Sequence, residues 1–273
     1  MELQTHPYDI LRWYLEAGVD ETIGEEPVDR YAVTILAQQA RAAAQTRPSG
    51  PTVSVVTSAA PAAAVTMSAA AMAANAAHMA DGCHSLAELR MALEGFEGLA
   101  LKQAAASTVF ADGNPEASVM CIGEAPGQEE DRQGRPFVGS SGKLLDRMLK
   151  SIGLDRDTAY ITNVVPWRPP ANRKLSPDEV AVCMPFLSRH IELVDPQVLI
   201  LFGGAAAAAV LAKADGISRL RGRWFEFNSP RLSRPIPVLA TFHPDYLLRT
   251  PEAKRDAWHD LLMVAKKLEL KHH

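Results

Sequence analysis

Ala117-Ser118-Val119-Met120-Cys121-Ile122-Gly123-Glu124-Ala125-Pro126-Gly127 is the stretch on which the fold turns. A short, mostly apolar run ends in a Gly-Pro-Gly turn that carries one carboxylate. Such a run, bounded by turn residues, reads as a buried strand. The pattern returns more than a hundred residues later, where the run 236–242 leads into His243-Pro244-Asp245-Tyr246-Leu247-Leu248-Arg249. In an open α/β sheet, ligands bind in the crevice outside the carboxyl ends of the strands. A carboxylate and an imidazole delivered there by two strands suit acid, base or electrostatic chemistry.

Working outward, strands are expected at 117–122, 159–165, 197–202, 224–227 and 237–242. Helices are expected at 85–93, 141–152, 176–194, 205–214 and 251–268. Ser85 with Glu88, and Ser176-Pro177 with Glu179, have the spacing of capping boxes. Strands alternating with helices imply an α/β fold of three α/β/α layers around a mostly parallel central sheet. Residues 1–45 read as a helical extension, with Ile10, Trp13, Tyr14 and Ala17 at helical spacing. Residues 46–84 are dominated by Ala, Ser, Thr, Pro, Val and Met and read as a flexible linker, its Ala-rich part transiently helical. Residues 85–273 form the expected catalytic domain.

Composition narrows the class. The chain has 273 residues, 47% hydrophobic and 22% charged, as in a soluble globular protein. No long uncharged apolar run predicts a membrane span, and Met1-Glu2-Leu3-Gln4 does not open like a secretory signal. Three cysteines fit a reducing cytoplasm better than a disulfide scaffold. The net charge of −4 is unlike that of a nucleic-acid binder, but its distribution is uneven. Residues 1–30 hold eight acids against two bases, whereas 219–255 hold eight bases against three acids. A basic zone beside the 243–249 loop is what phosphate contacts need, although a solvated charged face has the same look.

Three blocks together resemble family 4 uracil-DNA glycosylases. The first is Gly123 to Gly127 with Gln128-Glu129-Glu130-Asp131-Arg132-Gln133-Gly134-Arg135-Pro136-Phe137-Val138-Gly139. The second is Thr162-Asn163-Val164-Val165 with Arg168-Pro169-Pro170-Ala171-Asn172-Arg173. The third is 243–249. The likeness runs from about residue 96 to 268 in consistent order. It implies removal of uracil from DNA by base flipping, with uracil-containing DNA as partner and a monomer as the expected state.

The resemblance also assigns roles. Glu124 positions water or stabilises the sugar cation, and His243 donates to uracil O2 as charge develops on the leaving base. Gly123, Ala125 and Gly127 bring backbone close to the base, and Phe137 stacks on it. The Asn163 amide offers a donor and an acceptor, which suit the uracil N3–H and O4 edge. Glu130 excludes the thymine methyl group. Leu247 is the wedge that fills the gap in the duplex, and Arg249, Arg219 and Arg221 contact phosphate.

Departures from the family pattern carry expectations of their own. Family 4 implies a four-iron cluster on four cysteines, but here the corresponding positions are Phe96, Leu99, Trp167 and Cys183. The expectation is therefore no iron–sulfur cluster and no metal, with an apolar plug in its place. Asp245 stands near the expected phosphate path and is repulsive unless a base such as Arg249 pairs with it. No His stands in 217–224, which implies turnover rather than covalent trapping. No lysine stands in the motifs, which implies hydrolysis without lyase action. Two other classes compete: a non-catalytic lesion-DNA-binding protein on the same fold, and a small-molecule nucleotide-binding protein.

Overall fold

The computed structural model describes residues 68–269. The expected helical extension and the start of the linker lie outside the described residues. The helices are α1 (Ala69–Asp81), α2 (Leu86–Gly95), α3 (Ala100–Ala104), α4 (Gln128–Gln133), α5 (Ser140–Lys150), α6 (Pro177–Val194), α7 (Gly204–Leu211), α8 (Ile217–Leu220), α9 (Pro244–Arg249) and α10 (Lys254–Lys267). The strands are β1 (Asp112–Gly113), β2 (Val119–Gly123), β3 (Ala159–Asn163), β4 (Val198–Phe202), β5 (Trp224–Phe227) and β6 (Ile236–Thr241). They form one sheet in the order β1-β3-β2-β4-β6-β5. The four inner strands are parallel, and the edge strands β1 and β5 run antiparallel to their neighbours.

The sheet is apolar on both faces because helices cover both. Along β2, Val119 and Cys121 face one layer with Leu145 and Leu149 of α5 and Leu261 and Val264 of α10. Met120 and Ile122 face the other, with Phe186, Leu187 and Ile191 of α6 and Ala206 and Ala207 of α7. This period of two is what a strand buried between two layers requires. The expected three-layer α/β/α architecture is present.

The termini of α6 follow from its sequence. Ser176 accepts from the Glu179 N–H at 3.2 Å, and the Glu179 carboxylate accepts from the Ser176 N–H at 2.8 Å. Arg173 adds a fork to Glu179, and its two guanidinium N–H groups hold the carboxyl down at about 2.

One linker expectation is corrected at its end. Residues 69–81 form α1, opened by Ser68 accepting from the Ala71 N–H. Ala76 and Ala80 are buried in the layer that includes α6. Alanines leave room for close helix approach, and Arg231 ties the far end of α1 to the rest through Asp81. Five short elements also escaped the sequence reading: β1, α3, α4, α8 and α9.

Candidate active site

The parallel register does most of the assembly. β2 and β3 pair Gly123 with Asn163, so the first two motifs leave the sheet side by side. β2 lies between β3 and β4, and the chain reverses its direction of progress across the sheet there. This is the topological switch point at which open α/β sheets bind ligands. β6, one strand beyond β4, brings His243 to the same end.

These ends open into a cavity of about 410 Å³. It is lined by Glu124, Ala125, Gly127, Glu130, Phe137, Asn163, His243 and Arg249, all expected from sequence. It is also lined by Ser141, Asn172, Arg173, Lys174, Asp245 and Tyr246. Asn172 and Arg173 sit inside the second block and Asp245 and Tyr246 inside the third, and Lys174 follows the second by one residue. Of these five only Asp245 was singled out by its chemistry; the others were signalled by position alone. Asn172 and Ala171 both have φ of +53°, a tight turn that brings this loop over the cavity.

Gly123 lies directly beneath the site. A methyl group there would sit 2.5 Å from Phe137 Cζ and 2.4 Å from Asn163 Oδ1. Phe137 is buried, 5.6 Å from the His243 ring and nearly parallel to it. Asn163 is buried as a residue, and no side-chain hydrogen bond holds its amide among the described residues. No fully buried side-chain nitrogen or oxygen lacks a partner there, so the amide opens into the cavity. A cavity-lining amide of this kind is a ready reader of a base edge.

His243 caps the N-terminus of α9, and its Nδ1 accepts from the Asp245 N–H at 3.1 Å. Burial pushes its pKa below the ordinary histidine value, which favours the neutral ring. A neutral imidazole that accepts at Nδ1 carries its proton on Nε2. Gly203, with φ of +94°, lets the β4 turn approach His243: a methyl group there would meet His243 Cβ at 3.1 Å.

The two carboxylates differ. Glu124 is half-buried, and burial raises its pKa, while the Lys174 charge works against that rise. Glu130 is buried on α4, and its Oε1 accepts from the N–H groups of Val138 and Gly139, each at 2.8 Å. Glu130 therefore also ties down the turn that carries Phe137.

The family profile described as the uracil DNA glycosylase superfamily matches residues 110–262, which contain the whole cavity. The chain belongs to that superfamily. Its relatives include a type-4 uracil-DNA glycosylase of Archaeoglobus fulgidus, 39% identical over 56% of this chain and 78% of the relative. Another, from Sulfurisphaera tokodaii, is 38% identical over 55% of this chain and 69% of the relative. The Thermotoga maritima type-4 enzyme is 40% identical over 52% of this chain and 72% of its own length.

The type-4 relatives correct the cofactor expectation. These relatives are type-4 enzymes, and the resemblance carries a four-iron cluster with that class. The expectation of no cluster is overturned, and the lack of one does not stand as a property of the chain. Phe96, Leu99, Trp167 and Cys183 share one packed layer, with Phe96 stacked on Trp167 at 6.5 Å and edge-on to Phe186 at 5.4 Å. Cys83 is not in a flexible region but buried, its Sγ 3.2 Å from the Met79 carbonyl. Among the described residues, no three His, Cys, Asp or Glu side chains gather as ligands. The residues at these positions do not supply four thiolates, since Cys183 alone among them carries a thiol.

Two assignments to DNA contact are corrected by packing. Leu247 is 1% exposed and lies in the α5–α10 core layer, so in this structure it presents no surface to a duplex. The reason is helical phase. Residues 244–249 form α9, which turns Leu247 inward and leaves Tyr246 and Leu248 outward, 39% and 41% exposed. Arg221 is committed to structure: it forks onto Asp260 at 2.7 and 3.1 Å, donates to the Asp256 carbonyl and lies over Phe242. Arg219 is exposed, beside Asp215 at 3.9 Å, away from the cavity lining. Arg249 does line the cavity, and it pairs with Asp245 at 2.8 Å, which offsets the charge of that carboxylate.

Proposed function

We propose that this protein flips uracil out of DNA and hydrolyses its N-glycosidic bond, leaving an abasic site. The observation that carries the reading is the unpartnered Asn163 amide in one cavity with the His243 ring and the Glu124 carboxylate. An extruded uracil stacks on Phe137 and presents N3–H and O4 to Asn163. Cytosine has the reverse donor pattern and leaves the amide mismatched.

As the bond between C1′ and N1 breaks, its electron pair leaves with the base and spreads onto O2. The Nε2–H of His243 donates to that oxygen. A neutral donor suits this task, because it stabilises the developing anion without transferring a proton. The sugar becomes cationic at C1′, and the Glu124 carboxylate stabilises it and orients water for addition there. The water loses one proton on addition, and the uracil anion gains one.

No lysine stands in the motifs, but Lys174, just outside the second, does line the cavity. It is solvent-exposed, whereas lysines that form Schiff bases are activated by desolvation. Hydrolysis without strand scission remains the reading. On the DNA side, Leu248 and Tyr246 replace Leu247 as the apolar groups available to fill the vacated stack. Lys174 joins Arg249 as a cation at the cavity, and its ammonium has no ion pair among the described residues.

Single-turnover excision with Asn163 variants tests the reading. Asn163→Ala lowers uracil release strongly, and Asn163→Asp admits cytosine because the edge pattern inverts. Full-rate excision by Asn163→Ala would remove Asn163 from base recognition.

A further inference from the structure

The turn that carries Phe137 is held from behind by groups outside the cavity. Phe137 has φ of +53°, the left-handed region that side chains other than glycine rarely occupy. Such a conformation persists only where the surroundings over-determine it. Gly142 on α5 presses on the same peptide: a methyl group there would sit 1.8 Å from the Phe137 carbonyl oxygen. Arg156, on the loop before β3, donates Nη2–H to that oxygen and Nη1–H to the Pro136 carbonyl at 3.2 Å.

The guanidinium is itself fixed on its other sides. Nη1 also donates to Asp112, and Nε donates to Asp146 Oδ1 at 2.9 Å. Arg135 reaches the same Asp112 carboxylate at 3.0 Å. The Arg156 side chain is only 22% exposed. A planar fork can meet two carbonyls and two carboxylates at once, and a lysine cannot.

We propose that Arg156 is a positioning residue for base recognition: it holds the Phe137 carbonyl, fixes the left-handed turn and thereby sets the plane of the ring that receives the base. This rests on the glycosylase reading of the cavity. A plain structural clamp between β1, α5 and the β3 loop would need only the two aspartates. Two donors spent on the consecutive carbonyls of residues 136 and 137 are what steering this turn requires.

The test is a double-mutant cycle with two readouts, single-turnover uracil excision and thermal unfolding, on wild type, Arg156→Lys, Phe137→Ala and the double variant. If Arg156 acts through the Phe137 ring, Arg156→Lys slows excision by about ten- to a hundredfold, the scale of a misplacement near ~1 Å. In the Phe137→Ala background the same change then costs less than about twofold. The loss of thermal stability stays the same in both backgrounds. An equal loss of rate in both backgrounds, or no loss in either, overturns the proposal. Should Arg156→Lys not fold, Asp146→Asn loosens the same guanidinium from an accessible carboxylate. Its smaller rate loss must likewise vanish without Phe137, and a loss that persists there overturns the proposal. A wild-type protein that releases no uracil sinks the glycosylase reading itself. An active wild type with Arg156→Lys at full rate sinks only the role of Arg156.

Discussion

The ring of Phe137 rests on the α-carbon of Gly123, so close that a β-carbon there would overlap both Phe137 Cζ and Asn163 Oδ1. The residue that ends β2 thus sets the spacing of the two side chains meant to hold the base. Overpacking of this kind costs about 1–3 kcal/mol when neighbours must shift. Gly123→Ala should remain folded with a lowered melting temperature and lose about a hundredfold in single-turnover excision. An excision rate within twofold of wild type, roughly the scatter expected of an uninvolved site, would mean that neither side chain needs its observed place.

Adjacent leucines on α9 should separate stability from function. Leu247→Ala empties a buried position and should cost about 2–5 kcal/mol of stability. Leu248→Ala changes an exposed side chain and should leave unfolding within about 0.5 kcal/mol of wild type. Its effect should appear as slower excision from duplex DNA, with excision from a single strand unchanged. Equal effects on both substrates would take Leu248 out of the duplex.

The acid limb of the rate should depend on Lys174. Glu124 acts as a carboxylate, and burial raises its pKa, so acidification removes the active form sooner than for an ordinary glutamate. Lys174 opposes that rise. Lys174→Ala should therefore move the acid limb to higher pH and slow excision more at acid than at neutral pH. His243 does not share this shift: burial lowers its pKa, and the charges that act on it are those of Asp245, Arg249 and Glu130, not of Lys174. A pH profile unchanged in Lys174→Ala would separate the two groups.

The layered fold was legible because β2 and β4 are short apolar runs stopped by glycine, and α6 opens with Ser176 and Glu179 at capping distance. Glu124, Asn163 and His243 were legible because each sits where a strand ends. Leu247 was not, since the inward phase of a six-residue helix depends on what α5 presents to it. Arg221 and Arg219 look alike in the chain, and only the fold brings Asp260 under one of them. At 69–81 the helical tendency was legible but the packing was not: alanine gives no amphipathic contrast, and the packing depends on closeness to α6. Lys174 was passed over because nothing in its neighbours shows that the 169–174 loop folds back over the cavity.

The most direct test of the central claim uses one oligonucleotide duplex with a single uracil. The protein is incubated with it, and half of each sample is treated with hot alkali before the strands are separated by size. The account predicts free uracil in the supernatant and scission at the uracil position only after alkali, with both lost in Glu124→Ala and His243→Ala. Intact strands after alkali would contradict uracil removal, and scission without alkali would contradict hydrolysis as the whole of the reaction.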